Sequence, residues 1–225
     1  MPIKGSGAPE LTEIDRRDDG VGWLAYPDET MQRASHALAT DEGVYVVDPV
    51  DVEGVDELLA EFGDVAGVLV LLDRHLRDSA VVANRHDVPV YIPAWMTGVA
   101  SKLDAPVERL GDELGDTGFD VIRVVDNAFW QEAALYRESD GTLLVPESLG
   151  TVDYFRTNSE RVGVHPFRRL TPPRKLQRLT VNRLLVGHGA GIDTDADAAV
   201  EDAVKHAQRR APFAMLGAMK DFITG

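Results

Sequence analysis

The sequence predicts an α/β fold with mixed parallel and antiparallel sheets, on three observations. Apolar runs at Val44–Val47, Val68–Leu72 and Val88–Ile92 are too short for ordinary helices and read as buried strands. Helix-compatible segments separate these runs. Strand-like pairs flanking Gly-containing turns, before and after this unit, read as hairpins.

In chain order, Leu11 to Tyr26 is a hairpin turning at Asp18-Asp19-Gly20. A second hairpin joins Ser35–Ala39 to Val44–Asp48 through Asp41-Glu42-Gly43. Val55, Leu58, Leu59 and Phe62 then recur at i, i+3, i+4 and i+7, the spacing of an amphipathic helix, with Asp51 placed to cap it. Val68–Leu72 is a strand, Ser79–His86 an Ala/Val-rich helix, and Val88–Ile92 a further strand. If these strands share a sheet, the unit is a right-handed parallel one. Ala94–Gly118 is rich in glycine and charge and reads as peripheral. Strands resume at Asp120–Val125, Ala133–Arg137 and Leu143–Val145, the last two joined by Ser139-Asp140-Gly141. Thr151–Leu170 is irregular, and Pro166, Pro172 and Pro173 exclude a long helix through it. Leu184–Val186 is a short strand running into Gly187-His188-Gly189, and Ala196–Arg209 is a terminal helix. No repeat or flexible linker interrupts this order, so the expectation is a single domain over residues 1–225.

Composition narrows the function. There is no cysteine, which excludes a disulfide scaffold and thiolate chemistry. Met1–Thr12 is polar and no apolar run approaches the roughly 18 residues of a membrane span, so a soluble cytoplasmic protein is expected. The net charge of -15 argues against nucleic acid, whose phosphates need a basic face. Arg168-Arg169 and Arg174-Lys175-Leu176-Gln177-Arg178 form a local basic exception, read as a solvated segment paired with acidic neighbours rather than a phosphate site. The acidic, lysine-poor composition resembles that of proteins from halophilic, salt-accumulating archaea, where an acidic surface keeps a protein hydrated.

Four polar positions share one placement, just past an apolar strand: Asp48, the group Asp73/His75/Asp78, Glu147 and His188. Imidazoles and carboxylates converging in this way are the donor set of a divalent metal. Gly187 and Gly189 permit close backbone approach or a turn at positive φ beside His188. Gly-x-Ser-x-Gly and phosphate-loop motifs are absent, and Gly5-Ser6-Gly7 signals only a polar N-terminus.

The order of these pieces, with a strand ending VVDP, a strand ending LLDRHLRDS, a hairpin ending VPESLG and a strand ending LLVGHG, resembles the metallo-β-lactamase fold superfamily from about residue 11 to 209. The resemblance implies a four-layer αββα sandwich with a metal site at one edge of two sheets, and in most members metal-assisted hydrolysis. It places Asp48 in a supporting role and His188 on the last histidine of the pattern. The superfamily's His-x-His-x-Asp-His signature, set with His75 on its second histidine, puts Asp73 on the first, Arg77 on the aspartate and Asp78 on the third histidine. The other register, with Asp78 on the aspartate, leaves Arg74, Leu76 and Ser79 on the three histidines. Ala128 stands for the next histidine, and Glu147 for a bridging aspartate.

A full two-metal site cannot be assembled from this set. Two functions follow from it. One is a weak or specialised metal-dependent hydrolase, with a single Zn, Mn or Fe ion held by His75, His188 and one or two of Asp73, Asp78 and Glu147. The other is a non-catalytic scaffold without metal, binding a small molecule or a protein partner, in which Arg77 or Arg74 neutralises Asp73, Asp78 and Glu147 as an ion-pair network. Catalytic residues beyond the ligands are not assigned. His36, His86, His165 and His206 read as core or surface histidines, and Trp95 and Trp130 as walls flanking the site.

Overall fold

The structure, a computed structural model, describes residue 5 and residues 7–157 and 159–224, with side chains as far as residue 215. Ser6 of the Gly5-Ser6-Gly7 segment lies outside the described residues. The first sheet has seven strands in sequence order: β1 (Thr12–Arg17), β2 (Gly20–Leu24), β3 (Ala34–Thr40), β4 (Gly43–Val47), β5 (Val65–Leu69), β6 (Val90–Pro93) and β7 (Val107–Leu110). The first four are antiparallel neighbours, and β4 to β7 run parallel. The predicted helices appear here as α1 (Val55–Ala60) and α2 (Ser79–Arg85). Asp51 makes no side-chain cap on α1, whose N-cap is Gly54 at φ 88°.

The second sheet is built from β8 (Glu113–Leu114), β9 (Phe119–Asn127), β10 (Trp130–Arg137), β11 (Thr142–Val145) and β14 (Arg183–Val186). Its order is β14-β11-β10-β9-β8, with only β11 and β14 parallel. A small ribbon of β12 (Leu149–Gly150) and β13 (Gly163–Val164) lies within the stretch read as irregular. The terminal helix, α3 (Ala196–Thr224), continues past the expected end at Arg209 and through Pro212. The segment expected to be peripheral, Ala94–Gly118, instead supplies β7 and β8, one to each sheet.

Side-chain alternation sorts the core into three apolar layers. Val44, Val46, Val68 and Val70 pack with Val55, Leu58 and Leu59 of α1 and Val82 of α2. Tyr45, Val47, Leu69 and Leu71, pointing the other way, pack with Leu135, Leu144 and Leu185 between the sheets. Ala134, Leu143, Val145, Leu184 and Val186 face Ala196, Val200, Ala203 and Val204 of α3. Helices, sheet, sheet and helix therefore stack as four layers, and the uniform apolar runs are explained because their strands are covered on both faces.

One predicted strand does double duty. Val68–Leu72 leaves the first sheet after Val70, whose amide still donates to the Tyr91 carbonyl at 3.0 Å, and its later residues turn to the second: the Ala133 amide donates to the Leu71 carbonyl at 2.8 Å, and the Asp73 amide to the Gln131 carbonyl at 3.0 Å. The chain thus ties the two sheets together at the edge where the parallel strands end.

The opposite edge is tied by charge. Arg137, at the end of β10, pairs with Asp140 in its own turn and with Asp19 in the β1–β2 turn, and Arg17 and Arg183 reach Asp19 at 3.1 and 3.2 Å. The expected solvated basic segment is partly buried: Arg169 is fully enclosed, donating to Glu160 at 2.6 Å and to the Phe155 carbonyl at 2.5 Å. That pair ties the 151–170 loop to itself, and Arg210 of α3 reaches Glu160 at 3.3 Å and links the loop to the terminal helix.

Burial would raise the Asp140 carboxyl, but the Arg137 guanidinium and Thr142 hold it at about 2. A folded-state value below the unfolded one means that this contribution is complete above about pH 4 and is lost as the pH falls toward 2. Asp140→Asn is expected to lower unfolding free energy at pH 7 by about 0.5–1 kcal/mol, a screened-pair magnitude. Urea unfolding of both proteins from pH 7 to 2 should show the gap closing at the acid end; a gap that persists at pH 2 contradicts the assignment.

Candidate functional site

Four strands of the sandwich end at one edge: β4 delivers Asp48, β5 leads into His75, β11 delivers Glu147 and β14 delivers His188. All four side chains are buried. Glu147 is the centre. His75 Nε2 stands 2.9 Å from Glu147 Oε2, His188 Nε2 3.7 Å from the same oxygen, and His165 Nε2 3.4 Å from Oε1. Donor atoms of His75, Glu147 and His188 all fall within 4.8 Å of one another.

The outer ring nitrogens are fixed by their partners. His75 Nδ1 lies 3.0 Å from Asp48 Oδ2, while Asp48 Oδ1 accepts the Leu71 amide at 3.2 Å. His188 Nδ1 lies 2.8 Å from the Met31 carbonyl, which can only accept, so this nitrogen carries the proton. In the neutral ring Nε2 is then a bare lone pair, and it is a buried atom with no hydrogen-bond partner. His165 is the reverse case. Its Nδ1 accepts the Phe167 amide at 3.3 Å, so a neutral ring carries its proton on Nε2, toward Glu147.

Charge follows the same arrangement. Burial alone would raise the Glu147 carboxyl, but the His75 imidazole, at hydrogen-bond distance and favouring its charged form, holds it below the usual carboxylate range. Burial and the Arg77 cation oppose charge on His75, yet Asp48 and Glu147 outweigh them and raise it. Burial lowers His188 and brings His165 down to about 4, so His165 is neutral near pH 7.

Glycines allow the close approach around His188. A Cβ on Gly187 would stand 2.2 Å from the Pro146 carbonyl oxygen, and Gly189 has φ 88° with Thr151 Oγ1 2.3 Å from its missing Cβ.

The remaining predicted residues are placed elsewhere. Asp73 accepts the Gln131 amide at 3.1 Å and pairs with Arg74 at 3.2 Å. Asp78 accepts the Asp51 amide at 2.8 Å and holds the loop before α1. Neither joins the cluster of His75, Glu147 and His188. Arg77 also differs from the ion-pair expectation. It is buried at φ 40°, and its guanidinium donates to the carbonyls of Ala34, Asp48 and Gly187 at 2.6, 2.8 and 3.1 Å. It contributes a positive charge near Asp48 and Glu147 and ties the start of β3 to the segments that follow β4 and β14.

Two site residues were not singled out from sequence. His165 stands in a loop without periodicity, so nothing local marks it. Glu132 looks like an ordinary polar residue of β10, but it is fully buried: Oε1 accepts the amides of Glu147 and Ser148 at 2.9 and 2.7 Å, and Oε2 accepts Trp130 Nε1 at 2.9 Å and the Ser148 hydroxyl. It sets the turn that aims Glu147. His36 is a core histidine donating to the Val186 carbonyl, His86 pairs with Asp56, and His206 pairs with Asp202. Trp130 does line the edge, 5.1 Å from the His165 ring, and Ala128 lies exposed in the turn before it.

Glu132→Gln keeps the shape but gives one terminal atom hydrogens that face donors. Loss of a buried partner of this kind costs about 1–3 kcal/mol. Denaturant unfolding with tryptophan fluorescence is expected to show that loss; an unchanged midpoint would mean that the four donors have other partners.

The architecture is shared with solved metallo-β-lactamases. The structure of DIM-1 metallo-β-lactamase exposed to ceftazidime matches with a TM-score of 0.63 at 12% identity, over 90% of this chain and 100% of that one. The metallo-β-lactamase from Pontibacter korlensis gives 0.64 at 14% identity, over 87% and 99%. TTHA1623, in a di-iron-bound form, gives 0.53 at 20% identity, over 76% and 94%. No family model matches the sequence, and no curated protein matches it. No helix among the described residues is long and apolar enough to cross a membrane.

Proposed function

Because this chain has the metallo-β-lactamase fold, we propose that it holds one divalent metal ion between His75, Glu147 and His188 and acts as a specialised metal-dependent hydrolase. One observation carries the reading: the buried, unpartnered Nε2 of His188, whose proton is committed to Met31 on the other side of the ring. A lone pair left without a donor beside an ionised carboxylate asks for a cation. Asp48 on His75 and the Met31 carbonyl on His188 are the outer-shell partners that orient imidazole ligands. A His-His-Glu set without cysteine suits zinc, manganese or iron, and the fold neighbour TTHA1623 is described in a di-iron-bound form.

A metal bound there would supply Lewis-acid polarisation of a carbonyl or phosphoryl oxygen. The chain's own groups do the rest. Glu147 anchors the negative charge, Asp48 and Met31 fix the imidazole orientations, and His165 presents a neutral Nε2–H donor toward Glu147. Arg77 supplies a permanent positive charge near Asp48 and Glu147. With Asp73 and Asp78 engaged by backbone amides, the donor set supports one ion rather than two.

The second reading is a non-catalytic binding scaffold in which a proton replaces the metal. The observation favouring it is the 2.9 Å approach of His75 Nε2 to Glu147, a hydrogen-bond distance for a protonated imidazole. The acidic composition suits a salt-rich compartment, so both readings are tested in molar salt.

Elemental mass spectrometry on protein purified without chelator decides between them. About one metal per chain, lost in a His75→Ala/His188→Ala double variant, is the expected result; no metal in either protein leaves the binding scaffold. Asp48→Asn should weaken metal affinity by about 10–100-fold, as outer-shell losses do. Asn tolerates the φ of 45° found at this position and still accepts the Leu71 amide, so the folded chain is retained. Competition with a fluorescent chelator measures the change, and wild-type affinity in this variant would rule out the orienting role.

A further inference from the structure

A second cleft lies on the flank of the sandwich, between β1 at the edge of the first sheet and β14 at the edge of the second. It has a volume of about 170 Å³, and its walls carry opposite charges. Arg17 and Arg183 supply guanidiniums, Asp15 and Asp193 supply carboxylates, and Leu185 and Ile192 add apolar surface. Arg183 opens β14, whereas His188 follows its far end, so the cleft and the metal cluster sit at opposite ends of that strand. The two share no residue.

Local departures from regular pairing build it. Between Ile14 and Arg17, three steps of β1 oppose two of β2, and Asp15 sits in the resulting bulge at φ 53°. Such a bulge re-aims the side chain it displaces. Both Asp15 oxygens accept the Gly191 amide, at 2.9 and 2.8 Å, and a Cβ on Gly191 would stand 2.4 Å from the Leu184 carbonyl oxygen, so a glycine lets the segment after β14 fold back this close. The Arg17 side chain is only 10% exposed. Its Nη1 donates to the Asp15 carbonyl at 2.8 Å, but its Nε, 3.1 Å from Asp19 Oδ1, is out of line for a hydrogen bond and is a buried donor without a partner. Arg183 reaches Asp19 and Thr142 through Nη1 alone, which leaves its Nε and Nη2 uncommitted among the described residues. Arg17, Arg137 and Arg183 share two carboxylates, Asp19 and Asp140, one fewer than their charges require.

A plain anion entering the cleft meets Asp15 and Asp193, and a plain cation meets Arg17 and Arg183, so each is opposed by one wall. A molecule carrying both charges is opposed by neither. We propose that the cleft binds a small zwitterion of the α-amino acid class, with its carboxylate on Arg17 and Arg183, its ammonium on Asp15 and Asp193, and its side chain against Leu185 and Ile192. Pairing of guanidinium with carboxylate supplies the strongest contact. The volume is below the roughly 300 Å³ at which pockets for drug-sized ligands begin, which suits an aliphatic amino acid and excludes a nucleotide.

Calorimetric titration of the full chain tests this with L-alanine and L-valine beside their single-charge analogues: propionate and isovalerate lack the amine, ethylamine and isobutylamine the carboxylate. Amino acids also chelate metals, so the protein is stripped with chelator first, and the outcome is then separate from the metal reading. At least one amino acid is expected to bind tenfold or more tightly than both of its analogues. Asp193 is exposed and holds only the Thr194 hydroxyl among the described residues, so Asp193→Asn should cut that affinity at least fivefold with an unchanged unfolding midpoint. Arg183→Gln should bring the amino acid level with its amine. Binding by neither amino acid, an analogue that matches its parent, or full affinity in either variant overturns the proposal. The ligand series on the wild-type chain decides even if Arg183→Gln does not fold.

Discussion

Much of this structure depends on one buried carboxylate. Glu147 sits at the end of a strand with imidazole nitrogens at 2.9, 3.4 and 3.7 Å, and each of the three rings is held from its far side by a different element. Asp48 holds His75, the Met31 carbonyl holds His188 and the Phe167 amide holds His165. An ionised group in a dry interior is tolerated only with such partners. The loops around it are therefore constrained in sequence-distant pairs, and the site is preorganised rather than assembled on demand.

Buried polar residues do the constraining, and they do so by satisfying backbone. Glu132 takes up two amides, an indole and a hydroxyl; Arg77 fills three carbonyls; Asp78 and Asp73 each hold a loop amide. A sandwich edge where four strands stop exposes many unpaired amides and carbonyls, and each must find a partner or water. The polar residues crowded after the apolar runs mostly serve this need, which leaves a smaller set for chemistry. His188 Nε2, like Arg77 Nε and Ser79 Oγ, is occupied by no such service, and it stands 3.7 Å from the Glu147 carboxylate.

The loop from 151 to 170 brings His165 to Glu147 and is held by a different device. Arg169 and Glu160 form a fully buried pair, with Phe155 carbonyl as a further acceptor. Such a pair is strongly destabilising to break from one side only. With Arg210 of α3 also on Glu160, it fixes the loop that carries His165 and Phe167.

The sequence by itself determined the α/β class and the order of most strands and helices along the chain, because buried strands and amphipathic helices leave periodic patterns that act within a few residues, whereas β7 and β8 within Ala94–Gly118 left none. Val68–Leu72 and the i, i+3, i+4, i+7 spacing of α1 are of this kind, and so is the placement of His75, Glu147 and His188 just beyond strands. Tertiary structure alone decided which polar groups face one another. Asp73, Asp78 and Arg77 are as close to His75 in sequence as any residues, yet one-residue steps turn them to backbone partners, whereas His165 and Glu132 come from remote segments. A carboxylate selects its partners by distance and direction in space, and neither is encoded in chain order.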